Sequence, residues 1–193
     1  MRRHGVRQMV LLGCLLWSGV WLASAGDIAT EDLSRGDVKI EWRQNEAGID
    51  GIRATFAVKG LRTTLWRLLL DYSRFSQLFP RVREAKVIHE SREGAEVEFH
   101  VDAIAWNLHY VLNRSYLEPE RRITWTRKSG DLRKIEGGWT IDDAVEPGFL
   151  RVTYESYVDA GWFVPSVAVK AGARRETLRM VERLRTQMAK MAP

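Results

Sequence analysis

The chain has 193 residues, 45% of them hydrophobic, and a formal net charge of +5. That length suits one domain with a short accessory segment and supplies enough apolar surface for a single core. The charge is no nucleic-acid signature: Arg2, Arg3 and Arg7 fall in the first eight residues, and the other arginines are scattered rather than gathered into a stripe.

Residues 1–25 read as a signal peptide. Met1 to Gln8 is basic without an acid, Met9 to Leu22 is apolar, and Ala23-Ser24-Ala25 is a small-residue cleavage site. The apolar run is shorter than the roughly 20 residues a membrane span needs. Export to the periplasm or the exterior is therefore expected. Leu11-Leu12-Gly13-Cys14 is similar to a lipidation motif, but few apolar residues precede Cys14 and the apolar run continues past it. Cys14 is the only cysteine, so the exported domain would be held by its core and not by disulfides. Trp42, Trp66, Trp106, Trp125, Trp139 and Trp162 remain, which favours a large aromatic interior or a ligand site.

Residues 26–37 lack an apolar period and are expected to form a flexible N-terminal segment before a domain at 38–190. Val38, Ile40 and Trp42 alternate with Lys39, Glu41 and Arg43, predicting a strand. Past a turn-like Asn45 to Gly51, Ile52, Ala54, Phe56 and Val58 alternate with polar or small residues, predicting its hairpin partner. Leu61, Leu65, Leu68, Leu69 and Tyr72 then fit a helix of about three turns. Phe75, Leu78 and Phe79 predict a short second helix or turn ended by Pro80. From Val82 the period of two returns, in runs near 82–90, 95–102, 106–116, 121–128, 132–142 and 149–158. Turns such as Arg92-Glu93-Gly94, Glu118-Pro119-Glu120 and Ser129-Gly130-Asp131 are short enough to join only antiparallel neighbours.

A final helix is expected from Pro165 to about Met188. Leu178, Val181, Leu184 and Met188 form its apolar stripe, and Arg175, Arg179, Glu182, Arg183 and Lys190 fill the rest of its circumference. Towards its start the stripe reaches Val167, Ala171 and Ala173, with Lys170 and Arg174 at the margins. Bulky at one end and small at the other, such a helix would fill a core incompletely.

The strand patterns also predict registers. Pairing His100 with His109 sets Val97, Phe99 and Val101 opposite Leu112, Tyr110 and Leu108. Pairing Leu112 with Trp125 puts Ile123 opposite Arg114, and pairing Ile141 with Leu150 puts Trp139 opposite Val152 and Gly137 opposite Tyr154. Each choice leaves one face apolar and aromatic, and a one-residue slip would destroy the match. That face carries Phe99, Trp106, Leu108, Tyr110, Leu112, Trp125, Trp139, Val152 and Tyr154. Taken alone it could be a plain aromatic core. Three features lean towards a cavity: the small-residue half of the helix, Gly137-Gly138 as a bulge or close approach, and Arg114 in phase with the apolar face. On this reading Gly137→Trp or Ala171→Trp would block ligand uptake without unfolding the domain.

Trp66, Asp71-Tyr72, Phe75, Phe79-Pro80 and Val82, followed by Gly138-Trp139, Thr153-Tyr154, Gly161 with Val164-Pro165, and Leu184-Arg185, resemble the START-like (SRPBCC) superfamily in order and spacing. The likeness runs over nearly all of Val38 to Met188 and is greatest to the cyclase/dehydrase and coenzyme Q-binding branch. It implies an α+β helix-grip fold, in which a curved antiparallel sheet wraps a long C-terminal helix around an apolar cavity. Members of the superfamily bind lipids, quinones, sterols or polyketides, and some act as cyclases.

The remaining chemistry is sparse. No nucleophile motif, paired-carboxylate site or Gly-rich phosphate loop is present, so no catalytic residue and no cofactor is expected. His100 and His109 face each other on the polar side, near Glu98, Asp102 and Asn107. A metal site needs three or four converging ligands, so the pair reads as solvated and no metal is expected. His89 faces either way. Arg114 and Arg174 are cavity candidates for meeting an acidic or carbonyl head, or else surface arginines lying along apolar neighbours. Trp162, Phe163 and Val164 either cap the core or form a gate loop able to touch a membrane transiently.

The expectation is an exported START-like domain that binds and carries a hydrophobic, lipid-like small molecule. Its cavity would be lined by Phe99, Tyr110, Leu112, Arg114, Trp125, Trp139, Tyr154, Val167, Ala171 and Arg174. Two alternatives stand: a polyketide cyclase/dehydratase in which Arg114, Tyr110 or Tyr154 steers the substrate, and an envelope interaction module with a filled core. No nucleic-acid partner is expected, and the sequence does not set the oligomeric state.

Overall fold

The computed structural model describes residues 36–103, 107–117, 121–144, 146–161 and 166–191; within it, the side chains of residues 166–169 and 171 stand outside the description. The expected signal peptide, the gate loop Trp162, Phe163 and Val164, and Trp106 therefore lie outside the described residues. So do the side chains of Val167 and Ala171.

Eight strands form one antiparallel sheet. They are β1 (Val38–Gln44), β2 (Asp50–Lys59), β3 (Val82–Glu90), β4 (Gly94–Asp102), β5 (Asn107–Leu117), β6 (Arg122–Gly130), β7 (Lys134–Asp143) and β8 (Phe149–Asp159). Their spatial order is β1-β2-β8-β7-β6-β5-β4-β3, so β1 and β3 are the edges. The chain crosses from β2 to β3 through α1 (Arg62–Leu70), a 3-10 turn at Tyr72–Arg74 and the single-turn α2 (Phe75–Leu78). The long α3 (Ser166–Lys190) ends the fold and packs on β2, β1, α1 and α2. This curved sheet closed by a C-terminal helix is the helix-grip arrangement. No described helix is long and apolar enough to cross a membrane.

The sheet registers follow the alternation, with two corrections. His100 does pair with His109, and Phe99 with Tyr110. On β5–β6, however, Arg114 pairs with Trp125 and Tyr116 with Ile123, and on β7–β8 Trp139 pairs with Tyr154 and Gly137 with Ser156. Both hairpins are displaced by two residues from the expected register. Such a slip keeps every side chain on its face, so the alternation alone cannot detect it. A register shift between Val111 and Leu112 accompanies the β5–β6 pairing.

The core joins Ala54, Phe56 and Val58 of β2 to Leu65, Leu68 and Leu69 of α1 and to Met180, Val181, Leu184 and Met188 of α3, all buried. Gly60 takes a left-handed φ of +136°, and a Cβ there would lie 2.8 Å from Met188 Cε. The Met188 methyl ends a flexible side chain and can turn aside, so it is the left-handed φ that calls for glycine at this corner. The expected stripe of α3 needs one correction: Leu178 is exposed and Thr177 is buried in its stead. At about 100° per residue, Leu178 points roughly 100° away from the line through Thr177, Val181 and Leu184.

The C-terminal half of α3 is also tied by polar contacts. Arg185 donates from Nε to the Ala57 carbonyl at 3.0 Å and from Nη1 to the Gly36 carbonyl at 2.7 Å. Arg183 Nη1 donates to the Ser76 and Gln77 carbonyls at the end of α2. Hydrogen bonds from charged donors are among the stronger ones, and they anchor this end of the helix.

Candidate functional site

Between the N-terminal half of α3 and the sheet lie two adjoining spaces. The outer chamber, about 620 Å³, is bounded by the β1–β2 hairpin (Trp42, Ile49, Ile52), the α2–β3 corner (Phe79, Pro80, Arg81, Val82), the end of β8 and the α3 residues Lys170, Ala173, Glu176, Thr177 and Met180. The inner chamber, about 100 Å³, lies deeper among Phe75, Phe99, Leu112, Arg114, Trp125, Ile135 and Trp139. Phe79, Val82, Tyr110, Tyr154 and Ser156 border both, and so stand between them.

Seven of the expected cavity residues thus meet around one space: Phe99, Tyr110, Leu112, Arg114, Trp125, Trp139 and Tyr154. The pleat brings them there, since each sits at an inward position of β4 to β8. Their rings form a continuous lining, with Trp139–Tyr154 centroids 4.6 Å apart, Trp125–Tyr154 5.9 Å and Phe99–Tyr110 5.6 Å. Arg174 is not among them. It is exposed and borders neither chamber, because it follows Ala173 by one residue and is turned about 100° from it.

Arg114 lines the inner chamber. It is 4% exposed, and its Nε and Nη1 have no hydrogen-bond partner. The guanidinium carbon lies 5.0 Å from the Tyr72 ring centroid, 5.3 Å from Phe75 and 5.8 Å from Trp125. Ring faces attract the cation, but they do not replace the water it has lost. Burial accordingly pulls the Arg114 pKa below its ordinary value. No described residue bordering the inner chamber is a carboxylate or a histidine.

Burial also raises the phenol pKa values of Tyr110 and Tyr154. The folded protein therefore keeps these protons after the unfolded chain begins to lose them near pH 10. Their stabilising contribution is intact below about pH 10 and falls as the pH rises further, by about 1.4 kcal/mol per pH unit for each phenol. Urea midpoints measured from about pH 8 to 11 check this, and Tyr110→Phe is expected to flatten the alkaline slope by that amount.

Sequence reasoning missed Glu176. Its Oε1 pairs with Arg81, whose Nε lies 3.2 Å away, and accepts from Arg179 Nη1 at 3.1 Å, while Oε2 is buried without a partner at the outer chamber. At the mouth, Lys170 Nζ lies 3.2 Å from Asp50 Oδ2. A helical glutamate near arginines reads as solvated. Only the approach of Arg81 from the start of the meander buries it.

Solved structures with this architecture include a START superfamily protein from Mycobacterium smegmatis (TM-score 0.64, 15% identity, 74% of this chain and 99% of that one). A STAR-related lipid transfer protein fragment from Xanthomonas axonopodis gives TM-score 0.65 at 17% identity, covering 79% of this chain and 93% of that one. An aromatase/cyclase from a Streptomyces species gives 0.61 at 15%, covering 80% and 95%. At such identities the likeness establishes the fold. No curated protein is a significant match. The sequence itself matches a family over residues 62–185, and the chain belongs to that START-like family, described as polyketide cyclase / dehydrase and lipid transport.

Proposed function

We propose that this protein binds one lipid-like amphiphile, acidic or carbonyl head inward, and carries it as an exported domain. The observation that supports this most is the cavity's division: a small inner chamber lined by a buried arginine with two unpartnered nitrogens, and a roomier outer one that shares aromatic walls with it. A space of about 100 Å³ takes a head group and not an acyl tail, which needs the outer 620 Å³. Mostly apolar walls with few placed polar groups are how ligand cavities combine affinity with orientation. The basic, apolar and small-residue succession in residues 1–25 supports export.

Cyclisation of a polyketide-like substrate is the rival. It needs a group that takes up or delivers protons, and the described inner-chamber residues offer only phenols whose pKa values burial has raised. That favours carriage.

Native mass spectrometry of the protein isolated from its own cell envelope is expected to show a co-purified amphiphile. Ala173→Trp, which fills the outer chamber from α3, is expected to remove that ligand and weaken rebinding at least about tenfold, with little loss of stability. An empty wild-type protein, or a tryptophan variant that binds normally, would overturn the proposal.

A further inference from the structure

On the opposite face of the sheet from the cavity, Glu98, His100 and His109 converge. Glu98 and His100 are two residues apart on β4 and so share a face, and His109 is the direct partner of His100 on β5. One potential ligand atom from each lies within 4.8 Å of the other two. His109 Nε2 is already 2.7 Å from Glu98 Oε1, and the two imidazole rings lie 4.9 Å apart, tilted by 41°. We propose that these three side chains hold a divalent transition metal ion, zinc foremost.

The chemistry fits the ion. Two imidazoles and a carboxylate form a borderline donor set suited to zinc, copper or nickel and less suited to calcium or magnesium. Zinc–ligand bonds of about 2.0–2.1 Å in a tetrahedron put donor atoms about 3.3 Å apart. The His109–Glu98 pair, at 2.7 Å, must open by about 0.6 Å and give up its hydrogen bond to the ion, and the His100 ring closes in by at most about 1.5 Å. Partial exposure allows this, the side chains of His109 and Glu98 being 43% and 25% exposed. The backbone does not need to move, since a directly facing cross-strand pair already holds its Cβ atoms about 5 Å apart. Water would complete the coordination.

The surrounding charges set the strength. Glu98 supplies a carboxylate already directed at His109 Nε2, 2.7 Å away. On β3, Glu84 faces His100 and adds negative charge, whereas Lys86 faces Glu98 and opposes a cation. The Asp131 carboxylate accepts the His109 backbone N–H at 2.7 Å and steadies that strand. Three ligands partly opposed by a lysine make a weaker site than a four-ligand structural zinc centre.

The placement has a consequence for the cavity. Phe99 lies between Glu98 and His100, and Tyr110 follows His109, so an ion on the outer face clasps the two strands that carry part of the inner-chamber wall.

Calorimetric titration of the purified protein with zinc sulfate near pH 7.5 is expected to show one site of micromolar Kd. His100→Ala and His109→Ala should each weaken it at least about tenfold. Cobalt(II) provides a second readout, since tetrahedral imidazole–carboxylate coordination gives intense visible bands that either histidine substitution would abolish. Because the three side chains are partly exposed, the variants are expected to fold, which far-UV circular dichroism checks. Arg114→Met should leave zinc binding unchanged, which separates this site from the proposed lipid site. Absence of saturable binding up to about 1 mM zinc, or equal binding by the double histidine variant, would overturn the proposal.

Discussion

Replacing Arg114 by methionine is expected to make the empty protein more stable and its hold on an acidic amphiphile weaker. The guanidinium is buried, two of its nitrogens lack partners, and burial already lowers its pKa. Exchanging a buried charge for an apolar side chain of similar length is often neutral or stabilising, by about 1–4 kcal/mol. Contacts to Tyr72, Phe75 and Trp125 return part of the desolvation cost, about 0.5–2 kcal/mol. The net gain should therefore be near 1–2 kcal/mol in a urea titration. Binding moves the other way: losing a charge-assisted hydrogen bond worth about 1.5–3 kcal/mol weakens a long-chain fatty acid by about 10- to 100-fold. The corresponding fatty alcohol should be affected far less. A methionine variant that is destabilised, or a substitution that weakens acid and alcohol equally, would show that Arg114 is there to hold the fold.

Gly137→Ala is expected to destabilise the protein by about 3 kcal/mol, near the upper end for overpacking. A Cβ at Gly137 would stand 2.1 Å from the Glu155 carbonyl oxygen and 2.7 Å from Trp125 Cζ2. Ladder pairing on both sides, with Trp125 and with Ser156, leaves the backbone no room to yield. Gly138→Ala is the control. Its Cβ would meet the Ile123 carbonyl at 3.0 Å, an approach relieved by a few tenths of an ångström, and should cost less than about 1 kcal/mol. Chemical denaturation of the two variants compares them directly. The geometry corrects the expectation that Gly137→Trp would merely plug the cavity: even a methyl group there strikes main chain.

Much of this was legible in one sequence. Strand limits, the helix-strand order and the inward set Phe99, Tyr110, Leu112, Arg114, Trp125, Trp139 and Tyr154 follow from alternation, because the pleat has a period of two and one face is buried. The same period hid the two-residue displacements at Arg114–Trp125 and Trp139–Tyr154, which depend on where turns and bulges fall. The long helix was legible in extent but not in rotation. Leu178 looks apolar and is exposed, while Thr177 is buried and Glu176 borders the outer chamber, because tertiary partners such as Arg81 decide which line of the helix turns inward. Arg174 fails for the same reason. The Glu98–His100–His109 convergence lay between: the facing histidines followed from register, but their closeness to the carboxylate needed side-chain directions.

The strand order has one further consequence, for behaviour in solution. An open sheet with β1 and β3 at its margins exposes two rows of backbone groups that another chain could extend. Charge guards both. Lys39, Glu41 and Arg43 stud β1, and Arg83, Glu84, Lys86 and Glu90 stud β3. A register shift between Val87 and His89 also breaks the regularity of the β3 margin, where Ile88 is half exposed. The aromatic cavity needs a sheet with one strongly apolar face. These margins discourage the same sheet from joining a neighbour's and growing into an aggregate.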